Sequence, residues 1–262
     1  MSELVALVTG AGRGIGLGIA RALGREHGWT VVLGDLAGER AGEAADALAK
    51  EGLRADATGL DVTSSGSCRT GVDAVLARHG RLDVLVNNAG IADYGPAETT
   101  AEEDWSRVID VLLTGTFLMS QAAYAPLAAS GHGAIVNIGS IGGMGGWPMR
   151  DAYGAAKAGV INLTQTLATE WAHAGIRVNC VSPGTIVTEM AAEAERRGVA
   201  SLARYAARSP VGRMGDVEEI GAAVAFLASD RASFVTGANL RVDGGWVAWL
   251  NAAGHGYPEA EG

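Results

Sequence analysis

Two cysteines in 262 residues, Cys68 and Cys180, are too few for a disulfide framework. They form no CxxC and no cysteine/histidine cluster, so no zinc site and no other metal ligand set is expected. Basic residues are also scarce. Twenty Lys and Arg against 29 Asp and Glu leave a formal net charge of −9. Nucleic-acid binding and anionic membrane surfaces both call for a basic face, so neither partner is expected. The chain opens Met1-Ser2-Glu3 with no basic stretch ahead of its first apolar run, which speaks against a secretory signal. Long hydrophobic runs are missing too. The nearest, Val108 to Ala129, is broken by Asp110, Gln121 and Pro126 and reads as a buried helix of a soluble protein. Free cysteines without a leader predict a reducing cytoplasm.

Glycine is abundant: 39 residues, about twice ordinary usage. They sit singly at the ends of apolar runs, where a backbone must approach something closely. Strand-length runs at Leu4–Thr9, Thr30–Gly34, Arg54–Leu60, Leu82–Val86, Ala134–Ile138, Ile176–Val181 and Asn239–Val242 alternate with helical patterns. The helices include Glu39–Lys50, Ser65–Arg78 and Asp151–Ala172, the last with a stripe of Ala156, Val160, Leu163, Leu167 and Trp171. Thr100-Ala101-Glu102-Glu103 and Asp216-Val217-Glu218-Glu219 read as capping boxes opening two more. This alternation predicts an α/β fold, a single domain with a doubly wound parallel sheet over residues 1–262. Thr188 to Arg213 breaks it, with helical patches, Pro210 and no strand, and is the expected lid (188–213).

Thr9-Gly10-Ala11-Gly12-Arg13-Gly14-Ile15-Gly16 joins the first strand to the first helix. Such a loop aims backbone N–H groups and a helix N-terminus at a pyrophosphate. A lone glycine-rich loop can also be just a tight turn. Here, however, Asp35 follows 19 residues after Gly16, at the end of the second strand, where a carboxylate binds a ribose 2′-OH. That carboxylate repels a 2′-phosphate, and Leu36 follows it rather than an arginine. NAD is therefore favoured over NADP, with Arg13 and Arg40 as the residues that would argue otherwise. Tyr153 and Lys157, four apart, share a helix face. A free Tyr hydroxyl titrates near 10; an adjacent ammonium favours the phenolate, so the pair can move a proton near neutrality. Ser140, at the end of the fifth strand, can donate to a carbonyl oxygen. Read alone, each of these is equally a cap, a turn or a surface pair.

Taken together they closely resemble the short-chain dehydrogenase/reductase family, from Leu4 to about Gly245. The resemblance rests on the glycine loop, Asp61-Val62, Asn87-Asn88-Ala89-Gly90, Ser140, Tyr153-Gly154-Ala155-Ala156-Lys157, Pro183-Gly184, Thr188 and Val242-Asp243-Gly244-Gly245. It implies a Rossmann-type, usually tetrameric oxidoreductase that moves hydride reversibly between NAD and a secondary alcohol or ketone. Tyr153 would be the general acid/base, Lys157 its partner and the holder of the nicotinamide ribose, and Ser140 the donor to the substrate oxygen. Gly10, Gly12, Arg13, Gly14, Ile15 and Gly16 would cradle the pyrophosphate and Asp35 the adenosine ribose. Asp61 and Val62 would contact the adenine. Asn88, Ala89 and Gly90 would pack on the adenosine side and brace the sheet. Pro183, Gly184, Ile186 and Thr188 would hold the nicotinamide end. One position departs: Leu112 stands where the family usually has an Asn that supports a helix kink and a proton-relaying water. Either the enzyme works with an altered relay, or the chain is a dinucleotide-binding scaffold or sensor with impaired catalysis.

Gly142, Trp147 and Met190, with Ser140 and Tyr153, are the expected substrate contacts, joined by Ile91, Tyr94, Gly143, Met144, Met149 and Ile186. This lining is mostly apolar and favours a neutral substrate over a strongly anionic one. Arg150 is the one nearby cation and reads equally as a surface charge. A polyol, sugar or cyclic-alcohol dehydrogenase competes with an acyl-thioester reductase. Trp246, Trp249 and Leu250 follow the last strand in a tail (246–262), and burial against a partner subunit is expected for them. His255, alone in that tail, reads as solvated, and Trp105 and Trp171 as helix-packing residues.

Overall fold

The computed structural model describes residues 4–92, 94–198 and 201–249. Seven strands form one sheet: β1 (Val5–Thr9), β2 (Thr30–Asp35), β3 (Ala55–Gly59), β4 (Val84–Asn87), β5 (Ala134–Ile138), β6 (Arg177–Pro183) and β7 (Asn239–Val242). Every pairing is parallel, in the order β3-β2-β1-β4-β5-β6-β7. Central strands β1, β4 and β5 are buried along their whole length, as expected of a parallel sheet covered on both faces.

One face carries α1 (Gly14–His27), α2 (Gly38–Lys50) and α9 (Val217–Ala228), packed through Ile19, Leu23, Leu48, Val224 and Leu227. The other carries α3 (Ser65–His79), α5 (Gly115–Ser130) and α6 (Asp151–Trp171), packed through Val72, Val75, Met119, Leu127 and Leu167. The strand order reverses between β1 and β4. There the outgoing loops diverge and leave a crevice at the carboxyl ends of the strands, the usual ligand position in such sheets.

A short α4 (Glu102–Ile109) runs through one π turn (Asp110–Thr114) directly into α5. Glu102–Ser130 is the one helical stretch among the described residues long and apolar enough to cross a membrane. Here Val108, Leu112, Met119, Ala123 and Leu127 along it are buried in the chain's own core.

The Asp216/Glu219 capping box forms at α9. The one expected at Thr100 does not: Ala101 takes the N-cap position, and the Thr100 hydroxyl donates to Asp151 Oδ2 at 2.6 Å. The hydroxyl is held by the carboxylate of a neighbouring helix, a charged and therefore strong acceptor, and not at the first turn of α4. Trp171 packs against Tyr124, with ring centroids 5.0 Å apart, whereas Trp105 is 40% exposed. Leu250, His255 and the remainder of the 246–262 tail beyond Trp249 lie outside the described residues.

Two short helices, α7 (Glu189–Arg196) and α8 (Leu202–Arg208), occupy the segment that breaks the alternation. Residues of both line the crevice.

Candidate active site

A cleft of about 830 Å³ opens at the crevice. Its walls include Gly10, Arg13, Gly14, Ile15, Gly16, Asp35, Asp61, Val62, Asn88, Ala89, Gly90, Ser140, Gly142, Trp147, Tyr153, Lys157, Pro183, Gly184, Ile186, Thr188 and Met190, together with Ile91 and Tyr94, whereas Gly12 and the expected substrate contacts Gly143, Met144 and Met149 do not line it. Gly12 sits just behind the wall, where its N–H donates to Asp35 Oδ2 at 3.0 Å.

The glycine loop is shaped by contacts that leave no room for side chains. A Cβ on Gly16 would collide with the Gly10 carbonyl oxygen and with Asn88. Asn88 clamps the loop, donating from Nδ2 to the carbonyls of Thr9 (2.9 Å) and Gly10 (3.0 Å), while Thr9 Oγ1 accepts from the N–H groups of Asn88 and Ala89. These bonds tie the end of β4 to the end of β1 and the glycine loop. Arg13, at the N-cap of α1, offers no side-chain cap, and the first turn of α1 holds no acidic residue. Its leading N–H groups thus await an anion from the cleft, which fits a pyrophosphate.

Asp35 accepts from Gly12 through Oδ2 and from Ala37 through Oδ1 (3.0 Å). A carboxylate has about four acceptor sites, so capacity remains for a ribose hydroxyl. Leu36 beyond it is 77% exposed, and the Arg40 side chain lies against Gly12. The Arg13 guanidinium is drawn across the cleft to Glu189 on α7 (3.0 Å).

Below the loop, β5 ends and the chain turns through Ser140 into a 3-10 turn, Ile141–Gly143. Ser140 Oγ accepts from the Gly142 N–H at 3.0 Å, leaving its proton free to donate outward. A Cβ on Gly143 would strike the backbone of Lys157, so glycine lets this turn lie directly on α6. A Cβ on Gly142 would touch both Ser140 Oγ and Tyr153 Cε1 at 3.4 Å, which shows how closely those residues flank it. Lys157 is 6% exposed; its Nζ donates to the Ile138 carbonyl at 2.6 Å and lies 5.9 Å from the Tyr153 ring centroid. Thr188 lines the cleft while its oxygen caps α7, accepting from Ala191 at 3.1 Å.

Sequence reasoning missed one group and misplaced another. Tyr205 on α8 lines the cleft, although nothing in its local pattern marked it. Trp246 is not left for a partner. It is 9% exposed and stacks on Trp147 (centroids 5.5 Å, 24°), with Tyr205 edge-on to both. Asp243 folds the turn that brings it there, accepting from the N–H groups of Gly245 and Val247.

A profile described as enoyl-(acyl carrier protein) reductase matches residues 10–247. The chain belongs to the short-chain dehydrogenase/reductase family. It is 47% identical over 94% of its length, and 98% of the relative's, to cis-4-hydroxycyclohexanecarboxylate dehydrogenase of Sinomonas cyclohexanicum. It is 42% identical to trans-4-hydroxycyclohexanecarboxylate dehydrogenase of the same organism, over 96% and 95% of the two chains. The crystal structure of gox2181 superposes with a TM-score of 0.90 at 36% identity, covering 95% of this chain and 97% of that one. This family member is accordingly an oxidoreductase with a Rossmann-type fold.

Within this short-chain dehydrogenase/reductase, Leu112 lies in the π turn and is 1% exposed. The bend therefore persists without a side-chain amide. The Leu112 carbonyl accepts from the Thr116 hydroxyl at 2.8 Å.

Proposed function

We propose that the chain catalyses reversible hydride transfer between NAD and a secondary alcohol or ketone, with Tyr153 as general acid/base. The observation that carries this reading is the convergence of Ser140, Tyr153 and Lys157 on the same cleft that the uncapped α1 N-terminus faces. When bound, the nicotinamide supplies the hydride acceptor. Tyr153 takes the proton of the alcohol oxygen. Ser140, its own oxygen already tied to Gly142, donates to that same substrate oxygen. Lys157, anchored on Ile138, holds a positive charge beside the phenol. Asp35 favours NAD through repulsion of a 2′-phosphate, and segment 188–213 acts as the lid. The two hydroxycyclohexanecarboxylate dehydrogenases among its relatives favour a cyclic alcohol over an acyl thioester. A homotetramer in the cytoplasm is the expected setting, in keeping with the two buried free thiols.

The test is NADH formation at 340 nm with a panel of cyclic alcohols, polyols and hydroxysteroids, NADP run in parallel, and Tyr153→Phe as control. Turnover with NAD that falls at least about 100-fold in Tyr153→Phe is expected. NADH binding without turnover on any alcohol would favour the second reading, a dinucleotide-binding sensor, for which Leu112 is the one supporting residue.

A further inference from the structure

Arg150 stands at the N-cap of α6, three residues before Tyr153, and lines the cleft. Its guanidinium lies 3.9 Å over the Tyr94 ring, 5.7 Å from Trp147 and 5.2 Å from Tyr153, and donates one bond to the Tyr94 hydroxyl at 2.8 Å. It pairs with no carboxylate among the described residues. The neighbouring Asp151 is committed to Thr100 and to its own helix at Ala152. The other acids on the cleft wall sit toward the glycine loop and are engaged: Asp35 by Gly12 and Ala37, Asp61 by Thr63, and Glu189 by Arg13. Burial pushes the Tyr94 phenol up despite the nearby arginine, so that phenol stays neutral and does not cancel the cation.

The local backbone holds Arg150 in this place. Met149 is the one non-glycine residue with positive φ (63°) among the described residues, and its carbonyl accepts from Gly95 on the Tyr94 loop. A left-handed conformation at a methionine is costly, and strain of this kind concentrates at ligand sites. The cleft wall also carries the apolar and aromatic side chains of Ile91, Leu112, Trp147, Met190 and Tyr205.

We infer that Arg150 is a specificity residue that reads a carboxylate on the substrate, which is then a compact cyclic alcohol or ketone carrying a carboxylate a few bonds from the reacting carbon. A guanidinium has five N–H donors and only one is used here, so a bidentate pair with a carboxylate is open to it. The aromatic roof accepts the ring, and the closeness of Arg150 to Tyr153 limits the span between carboxylate and carbinol. This departs from the neutral substrate that the apolar lining suggested, and it deepens the dehydrogenase reading on which it rests.

Calorimetric titration with NADH present tests it, using cyclohexanecarboxylate and cyclohexanecarboxamide, which lack the reacting hydroxyl. The wild-type protein should bind the acid about 10–100-fold more tightly than the amide. Arg150→Met should abolish that preference, and Arg150→Lys should keep part of it. In steady-state assays of 4-hydroxycyclohexanecarboxylate, the loss should appear in KM more than in kcat. Equal binding of acid and amide by the wild type, or an undiminished preference in Arg150→Met, overturns the inference. An acid preference without turnover of any alcohol sustains the carboxylate site and overturns the dehydrogenase reading instead.

Discussion

Leu112 packs among Val108, Ala152 and Ala156, and a Cβ on Gly90 would come within 3.0 Å of it. Leu112→Asn would place an amide in that apolar contact, at a cost of about 1–3 kcal/mol in stability. The same amide would offer a polar partner beside the π turn. If proton relay limits turnover, kcat should rise and the solvent isotope effect should shrink; an unchanged kcat would mean that leucine merely fills space. Asp35 is argued the same way. Its two oxygens each accept a backbone N–H, and asparagine has only one acceptor oxygen to give. Asp35→Asn should therefore lower stability by about 1–3 kcal/mol while raising kcat/KM for NADP relative to NAD. A cofactor ratio that does not move would remove Asp35 from the specificity argument. The thiols give a third test. Burial first, and the Asp61 charge second, push Cys68 up to about 11, and burial likewise raises Cys180. At pH 8 neither should react with a thiol reagent in the folded protein, and both should react after denaturation.

At the scale of elements, the two capping boxes show what local sequence can and cannot decide. Asp216 and Glu219 form their box even though Arg213 also binds the Glu219 carboxylate. Thr100 has the same pattern, but Asp151, 51 residues away, takes its hydroxyl; only the tertiary fold could reveal that competitor. Strand positions and the helices between them were legible because apolar periodicity sets them, and strand ends shifted by a residue or two. The π turn was not legible as such, since nothing in Asp110–Thr114 forbids an ordinary α turn. The α9 cap also carries a pH signature. The Arg213 guanidinium first, and then the Asp216 N–H, hold the Glu219 carboxyl down at about 2. A carboxyl depressed on folding stabilises fully above its unfolded pKa, here near 4.5, and loses that contribution as pH falls toward 2. The pair is solvent-exposed, with side chains 53% and 42% accessible, so the contribution should stay below about 1 kcal/mol. Glu219→Gln keeps a capping oxygen and loses the ion pair. It should melt slightly below wild type at pH 7 and together with it near pH 2; an offset independent of pH would point to packing instead.

Over the whole molecule, the sequence brought the glycine-loop side of the cleft together through local spacing and the opposite wall only in part, naming Tyr94, Trp147 and Arg150 but not Tyr205 or the inward packing of Trp246. Glycine loop, Asp35, Asn88 and the Ser140–Tyr153–Lys157 set each carry their chemistry in local spacing. That opposite wall is assembled from segments far apart in the chain: Tyr94 after β4, Trp147 and Arg150 before α6 and Tyr205 on α8, with Trp246 after β7 packed against Trp147 and Tyr205. No local pattern links them. The tryptophan that chain order assigned to a partner subunit instead supports this wall from behind, stacked on Trp147 with Arg208 4.7 Å above its ring. Removing it should therefore damage the substrate half and spare the cofactor half. Trp246→Ala deletes a nearly buried indole, at a cost of about 3–5 kcal/mol if the site cannot collapse. Trp147 would lose its stacking face and Tyr205 its edge contact, which loosens α8 over the cleft. KM for the alcohol should rise while the NADH dissociation constant stays near wild type, and truncation after Gly245 should show the same asymmetry. Trp246→Phe, which keeps an aromatic face, should recover most of both stability and KM. Equal losses of alcohol and NADH binding would mean that the turn supports the whole sheet rather than the substrate wall. If light scattering showed a truncated chain whose assembly dissociates while its melting point holds, the tail would instead serve subunit contacts.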